Sequence, residues 1–294
     1  MASPQLQEIV NLLRAAPPLA DASVEELRAR MGMFPAPPPE GTTVDPVDAG
    51  GVPAEWVNAP DADAGHVLLW LHGGGYCLGS LDTHRNLAGR LSAATGSFVL
   101  LADYRLAPEH CYPAAVDDAV EVYRWLLQNG TDPTRMVVGG DSAGGGLTVA
   151  LLLALRDRGE PLPGAAVCVS PWVDMACDAE SYTVNAEADP MLSQATIKPL
   201  AAWYLGPDGD PTAPYASPLH GDLSDLPPML IHVGGTEALL DDSRALAARA
   251  EAAGVDVTLE VWDEMIHVWH AFETVPEAAQ ALDRIGEFVR KHTA

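Results

Sequence analysis

From residue 66 onward, short runs of consecutive apolar residues alternate with segments whose apolar residues recur at helical spacing. Strands that are buried on both faces read as continuous hydrophobic runs, and their alternation with helices is typical of a parallel sheet. The runs predict strands at 66–71, 97–103, 135–139, 164–170, 228–234 and 256–262, and the spacing predicts helices at 113–128, 143–158, 241–253 and 276–291. The pattern therefore predicts an α/β fold with a mainly parallel sheet covered by helices on both faces.

The first forty residues have a different pattern. Helical apolar spacing predicts two helices, at residues 5–15 and 23–32. Ser23 and Glu26 can form a capping box at the start of the second helix. The proline-rich stretch Phe34–Pro39 breaks helix propagation and predicts an extended linker. A weak alternation around a glycine-rich turn in residues 42–58 then predicts a hairpin.

Residues 178–220 interrupt the alternation of strands and helices. This interval carries no strand pattern, but it contains Trp203, Tyr204 and many prolines and glycines. An insertion at the carboxyl end of a strand lies over the ligand crevice of an open α/β sheet. We therefore expect residues 178–220, together with 1–40, to form a lid on a catalytic domain of residues 41–294. The alternative is a loop-rich surface excursion without a function.

The pentapeptide Gly140-Asp141-Ser142-Ala143-Gly144 fits the G-x-S-x-G pattern of a catalytic serine. It directly follows one predicted strand and opens the next predicted helix. A nucleophilic serine on such a strained turn needs small neighbours, and the flanking glycines meet that need. The first N–H groups of the helix also favour a developing oxyanion. We therefore predict Ser142 as the nucleophile, and the alternative is a glycine-rich turn that only packs tightly or binds an anion.

A serine hydroxyl needs a base, and the base needs an acid to orient it, in the chain order Ser, Asp or Glu, His after such a turn. His267 follows the last predicted strand and is the predicted base, with His270 as its rival. Glu237 follows the strand predicted at 228–234, so its side chain is expected at the crevice. Asp241 and Asp242 open the next predicted helix, where carboxylates have a structural role. Glu237 is therefore the predicted acid, and Asp241 is its rival.

The string His72-Gly73-Gly74-Gly75-Tyr76 follows the first apolar strand. Glycines let the backbone approach a ligand closely and offer N–H donors without side-chain interference. We expect the amides of Gly73 and Gly74, with that of Ala143, to form an oxyanion hole. In isolation the string would be read as a flexible glycine turn.

Composition and charge narrow the possible partners. The chain has 294 residues, of which 41 are acidic and 16 basic, for a net charge of −25, which repels phosphate backbones and excludes nucleic acid as a partner. The longest apolar run, Val149 to Leu155, is much shorter than the ~20 residues of a spanning helix, and the N-terminus has no uninterrupted apolar region, so we expect no membrane insertion. The four cysteines form no C-x-x-C pair, which argues against a zinc site and favours free thiols in the cytoplasm.

Taken together, the motifs resemble those of the hormone-sensitive-lipase-like (bacterial family IV) esterases of the α/β-hydrolase fold. The resemblance covers about residues 40–290 and rests on four ordered strings, His72–Tyr76, Asp103–His110, Gly140–Gly146 and Met265–His267. It implies a Ser142, Glu237 and His267 triad, with Gly73, Gly74 and Ala143 as oxyanion donors and with supporting motif residues His72, Gly75, Gly140, Asp141 and Gly144. The chain departs from the commonest family pattern at the acid, which is a glutamate here instead of an aspartate.

The resemblance further implies a serine carboxylesterase that acts on short-chain, uncharged esters through an acyl-enzyme, without a metal or another cofactor. A lactone hydrolase that uses the same triad is one alternative. A non-catalytic protein of the same fold that binds a small molecule is another. By analogy with the family, the chain would form a homodimer through the sheet edge near the last strand.

Overall fold

The computed structural model of the protein describes residues 2–16, 22–32 and 37–294, so part of the predicted linker Phe34–Pro39 lies outside the described residues. The strands are β1 (Thr43–Asp48), β2 (Pro53–Asn58), β3 (Asp63–Leu71), β4 (Ser97–Ala102), β5 (Met136–Asp141), β6 (Ala165–Val169), β7 (Met229–Gly234) and β8 (Val257–Trp262). The helices are α1 (Pro4–Ala15), α2 (Val24–Met31), α3 (Leu81–Thr95), α4 (Ala114–Gln128), α5 (Ala143–Asp157), α6 (Ser181–Val184), α7 (Gln194–Leu205), α8 (Leu240–Ala252) and α9 (Pro276–Thr293).

The eight strands form one sheet in the order β1-β2-β4-β3-β5-β6-β7-β8. Strands β3 to β8 run parallel to one another, whereas β1 and β2 form an antiparallel hairpin that joins the sheet through an antiparallel pairing of β2 with β4. This topology confirms the predicted α/β fold with a mainly parallel sheet. The carboxyl ends of β5, β6, β7 and β8 therefore meet at one edge, where ligands bind in such sheets.

Side chains that alternate along the central strands fill two apolar layers. Leu69 and Leu71 of β3 belong to the layer under α4 and α5, whereas Leu68 and Trp70 belong to the layer under α3 and α9. Both layers are inaccessible to solvent, which explains why these strands read as continuous apolar runs. The core lies on both faces of the sheet and holds the strand ends in fixed positions.

The sequence pattern did not predict α3. Its buried apolar residues are confined to a narrow stripe of Leu87, Ala88 and Leu91. A glycine, Gly89, interrupts that stripe because a Cβ atom there would lie 2.8 Å from the ring of Pro39. Local spacing alone gives too weak a helical signal, since close packing against another segment decides the residue type at this position.

The elements predicted in the N-terminal region and in residues 178–220 agree with the structure. The capping box between Ser23 and Glu26 is present at the start of α2, as predicted. Within residues 178–220 the structure has α6 and α7 and contains no strand. No helix in the described part of the chain is long and apolar enough to span a membrane.

Candidate active site

Ser142 occupies the sharp turn between β5 and α5, with φ 54° and ψ −119°. Its N–H donates to the carbonyl of Val169 at 2.8 Å, and its own carbonyl accepts the N–H of Gly146 at 3.1 Å. A Cβ atom on Gly144 would overlap the carbonyl oxygen of Leu71, so only glycine lets the helix approach β3 this closely. The strained conformation of Ser142 is therefore fixed by hydrogen bonds and by close backbone packing.

His267 and Glu237 form a buried hydrogen-bonded pair. His267 Nδ1 lies 2.8 Å from Glu237 Oε2, and the two residues are 4% and 0% exposed. The other carboxylate oxygen, Oε1, accepts hydrogen bonds from Ser170 Oγ at 2.7 Å and from the N–H of Gly234 at 2.6 Å. Both oxygens of the Glu237 carboxylate thus form hydrogen bonds, and the imidazole of His267 is held in one orientation.

The pair also changes the acid–base behaviour of His267. Burial alone would lower its pKa, but the hydrogen bond and charge of Glu237 act in the opposite direction. The carboxylates of Asp189 and Asp141 add to this effect, and the net result is a pKa raised above the usual histidine value. The surroundings therefore stabilise the imidazolium that a general base must form.

Ser142 and His267 are not hydrogen-bonded to each other in the structure. Across the described residues, Ser142 Oγ makes no side-chain hydrogen bond. Both residues are instead anchored to the end of β6, since Val169 accepts the N–H of Ser142 and Ser170 Oγ accepts the N–H of Val268 at 3.3 Å. Catalytic hydrogen bonds in unliganded enzymes are often long and tighten only when substrate binds.

The rival acid and base have other partners. Asp241 Oδ2 accepts the N–H of Ser181 at 2.9 Å, and its other oxygen lies 3.4 Å from Arg244. His270 Nε2 lies 3.1 Å from Nδ1 of His232, and burial first, then the neighbouring His232, holds the pKa of His270 well below its usual value. The structure thus places Glu237 beside His267 and gives the two rivals structural contacts.

The glycine loop after β3 requires one revision of the predicted oxyanion donors. The N–H of Gly73 points at His84 Nε2, 3.3 Å away, so it is directed into the protein and away from the space beside Ser142. The N–H groups of Gly74, Gly75 and Ala143 have no hydrogen-bond acceptor among the described residues. The geometry therefore argues against Gly73 as a donor and favours Gly75, with Gly74 and Ala143 kept.

Buried polar residues hold this loop against the nucleophile turn. Asp141 accepts a hydrogen bond from Trp70 Nε1 at 3.1 Å and lies 3.3 Å from His84 Nε2. Burial alone would raise the pKa of Asp141, but His84, His72 and Trp70 together lower it below its usual value. His72 stacks on Tyr104 with ring centroids 4.3 Å apart, and burial and His84 lower its pKa to about 4. His72 is therefore neutral and supports the loop.

Sequence reasoning missed Ser170, which bonds the acid and the backbone beside the base. Ser170 directly follows β6 and has φ 46°, an unusual value for a serine. Its position at the carboxyl end of a strand next to the nucleophile strand was the available signal. A serine is common in loops, however, so the residue type alone does not distinguish it.

The described residues contain no group of three histidine, cysteine or acidic side chains that could hold a metal ion. All four cysteines are free thiols, and Cys77, Cys168 and Cys177 are buried. Burial raises the pKa of each of these three thiols to about 12. They are therefore protonated and fill apolar space.

Comparisons with known proteins agree with this geometry. The sequence profile of the α/β-hydrolase fold family matches residues 68–271. An acetyl-hydrolase of Streptomyces hygroscopicus is 46% identical over 301 residues, which cover 100% of this chain and 98% of that protein. An esterase of Acinetobacter venetianus is 39% identical over 253 residues, which cover 85% of this chain and 83% of that protein.

Solved structures give the same result. The crystal structure of EstE5 soaked with ethyl alcohol has a TM-score of 0.97 and 48% identity, with 99% of each chain covered. An esterase from the bacterial hormone-sensitive lipase family has a TM-score of 0.96 and 49% identity, with 100% of each chain covered. The similarity extends over the whole length of these proteins.

Proposed function

This chain belongs to the hormone-sensitive-lipase-like esterases of the α/β-hydrolase fold, and on that premise we propose that it hydrolyses short-chain, uncharged carboxylic esters through an acyl-enzyme on Ser142. The chain is a carboxylic ester hydrolase, as are its named relatives. The buried Glu237–His267 hydrogen bond of 2.8 Å is the observation that carries the mechanism, because it orients a base beside the strained serine turn.

The reaction would proceed in two acyl-transfer steps. Ser142 Oγ attacks the ester carbonyl while His267 Nε2 takes the hydroxyl proton, and Glu237 stabilises the imidazolium. The N–H groups of Gly74, Gly75 and Ala143 would bind the oxyanion. The C–O bond to the alcohol then breaks as His267 returns the proton to it. Water repeats the sequence on the acyl-enzyme, which releases the carboxylic acid and restores the serine.

Helix α7 supports the proposal of a small, covered site. A Cβ atom on Gly75 would lie 2.6 Å from the side chain of Leu200 on this helix, so α7 packs directly on the glycine loop. Tyr204 of α7 stacks on Tyr76, with ring centroids 3.8 Å apart. We therefore assign 178–220 to a cap over the domain of residues 41–294.

We also assign the N-terminal helix α1 to this cap. Arg14 at the end of α1 donates to the carbonyl of Glu187 at 3.1 Å, which ties the N-terminal helix to the cap interval. The packing of α7 on the glycine loop favours short acyl chains, and the name acetyl-hydrolase of the Streptomyces relative agrees with that size. The free thiols agree with a reducing cytoplasm, and the edge strand β8 offers a surface for a homodimer.

Hydrolysis of p-nitrophenyl butyrate by the wild type and by Ser142→Ala tests the nucleophile. We expect the variant to lose about 10⁴-fold or more of kcat, because no other group can form the acyl-enzyme. Ser92→Ala is the matched control, since this buried serine of α3 donates to the carbonyl of Ser97 and has no part in the proposed triad. Trapping a butyryl group on the peptide that contains Ser142 would establish the intermediate, whereas robust turnover by Ser142→Ala would disprove the site.

A panel of neutral p-nitrophenyl esters of increasing acyl length, with a lactone of similar size, tests the substrate class. We expect kcat/KM to be highest for the short esters and to fall for long chains, since α7 packs directly on the glycine loop and leaves little room for a long acyl chain. A preference for the lactone over every ester would contradict the proposed substrate.

A further inference from the structure

Side chains of the cap interval 178–220 bond both the carbonyl and the N–H of the peptide that links Glu237 to Ala238. The carbonyl of Glu237 accepts a hydrogen bond from Asn185 Nδ2 at 2.7 Å. The N–H of Ala238 donates to Asp189 Oδ2 at 2.9 Å. The next carbonyl, that of Ala238, accepts Ser181 Oγ at 2.6 Å. Three side chains within nine residues of the cap interval thus fix the backbone that carries the proposed acid.

Asp189 is held in place by backbone groups. Its Oδ1 accepts the N–H groups of Met191 and Leu192 at 2.8 and 3.0 Å, and its own N–H donates to the carbonyl of Asn185 at 2.8 Å. The residue is 6% exposed, and no lysine or arginine forms an ion pair with it in the described part of the chain. The Asp189 carboxylate is therefore held by the N–H groups of Met191, Leu192 and Ala238.

We propose that Asp189 and Asn185 are positioning residues of the esterase, which fix the Glu237–Ala238 peptide so that the acid meets His267, and that the Asp189 charge adds to those of Glu237 and Asp141 in stabilising the imidazolium. This inference rests on the proposed triad. It assigns the cap interval a part in the chemistry, because its residues determine where the acid lies.

The titratable groups that act on His267 allow the contribution of Asp189 to be separated. They are Glu237, which bonds His267 directly, Asp141 from the nucleophile turn, Asp189 from the cap interval and His270 from its own loop. The three carboxylates all raise the pKa of His267 against the effect of burial. Removing the charge of Asp189 alone should therefore lower that pKa while Glu237 still orients the ring.

Two variants separate charge from position, with p-nitrophenyl butyrate as substrate. Asp189→Asn keeps the shape and removes the charge, and we expect kcat to fall about tenfold or more with a smaller change in KM. On the acid limb of the pH profile, kcat/KM falls as the base of the free enzyme becomes protonated. We expect this limb to move to lower pH in Asp189→Asn, because the pKa of His267 is lowered. Asn185→Ala keeps the charge and loses the bond to Glu237, so kcat should fall without a shift of the limb.

Asp241→Asn is the matched control, because Asp241 lies in the first turn of α8, four residues after Glu237, and bonds the same interval through Ser181. It should lower the melting temperature with little effect on kcat or on the acid limb. The proposal is overturned if Asp189→Asn keeps the wild-type kcat and limb, or if it only loses stability as the control does. Should Asp189→Asn not fold, an unchanged kcat in Asn185→Ala overturns the proposed positioning. Failure of the triad itself would appear separately, as activity retained in Ser142→Ala.

Discussion

Glu237 holds its position with a side chain one methylene longer than the aspartate common in the family pattern. The extra length lets one carboxylate reach His267, Ser170 and the N–H of Gly234 together. A carboxylate bonded at both oxygens cannot rotate away from the imidazole. The length of the Glu237 side chain therefore matches the positions of its donors, Ser170 Oγ and the N–H of Gly234.

Two substitutions at Glu237 test this match. In Glu237→Gln the amide can present N–H to Nδ1 and favour the wrong imidazole tautomer, so we expect a loss of about 10⁴-fold in kcat. Glu237→Asp keeps the charge but cannot reach all three partners, and we expect a loss of about 10–100-fold. Steady-state kinetics measures both, with circular dichroism as the check on folding. A Gln variant that keeps most of the wild-type kcat would exclude Glu237 as the acid.

Residue types and chain order were sufficient to predict the three triad candidates, because the strand ends of a parallel sheet converge at one edge. They could not predict which glycine N–H groups are free. That choice depends on His84, eleven residues after Gly73, in a helix with only a weak hydrophobic pattern. Ser170 and Asp189 were missed for a similar reason, since their roles come from contacts between distant segments.

At the scale of elements, α8 is tied to the loop after β6 by Asp242. Its Oδ2 accepts the N–H groups of Val173 and Asp174 at 3.1 and 3.2 Å. The residue is 2% exposed, and burial raises its pKa to about 7. The same loop begins at Ser170, so this contact links the packing of α8 to the support of the acid.

The raised pKa of Asp242 makes the stability of this contact depend on pH. Between the unfolded value of 3.8 and the folded value of about 7, the folded state binds the extra proton, so the free energy of unfolding falls as the pH rises. Asp242→Asn cannot ionise, and relative to the wild type it should gain about 1 kcal/mol or more between about pH 5 and about pH 8. Urea denaturation at the two pH values measures this difference. An equal effect of the substitution at both would contradict the ionisation of a buried Asp242.

Element prediction succeeded where burial on two faces gives continuous apolar strands, as in β3 to β7. It failed for α3, where Gly89 accommodates Pro39 and the inward stripe is narrow. The interval 178–220 was correctly predicted to lack strands, but its hydrogen bonds to the acid loop left no trace in the hydrophobic pattern. Local periodicity reports burial, whereas these bonds depend on the tertiary fold.

For the molecule as a whole, the net charge of −25 is the feature that the chemistry does not explain. Glu237, Asp189 and Asp141 add negative charge to the surroundings of His267, and the acidic excess of the whole chain has the same sign. An uncharged ester experiences little of this field, whereas an anionic ester would be repelled from the crevice. The carboxylate product carries a charge of the repelled sign, which favours its departure.

Salt should therefore affect charged and neutral substrates differently. We expect kcat/KM for p-nitrophenyl butyrate to change little with ionic strength, because the ester has no charge to be screened. For the p-nitrophenyl monoester of succinic acid, kcat/KM should rise severalfold as the Debye length shortens from about 30 Å at 0.01 M salt to about 3 Å at 1 M. The corresponding ester in which the free carboxylate is replaced by a carboxamide is the control for size and should behave like the butyrate. An equal salt response of the carboxylate and carboxamide esters would show that the charge of −25 has no influence on the choice of substrate.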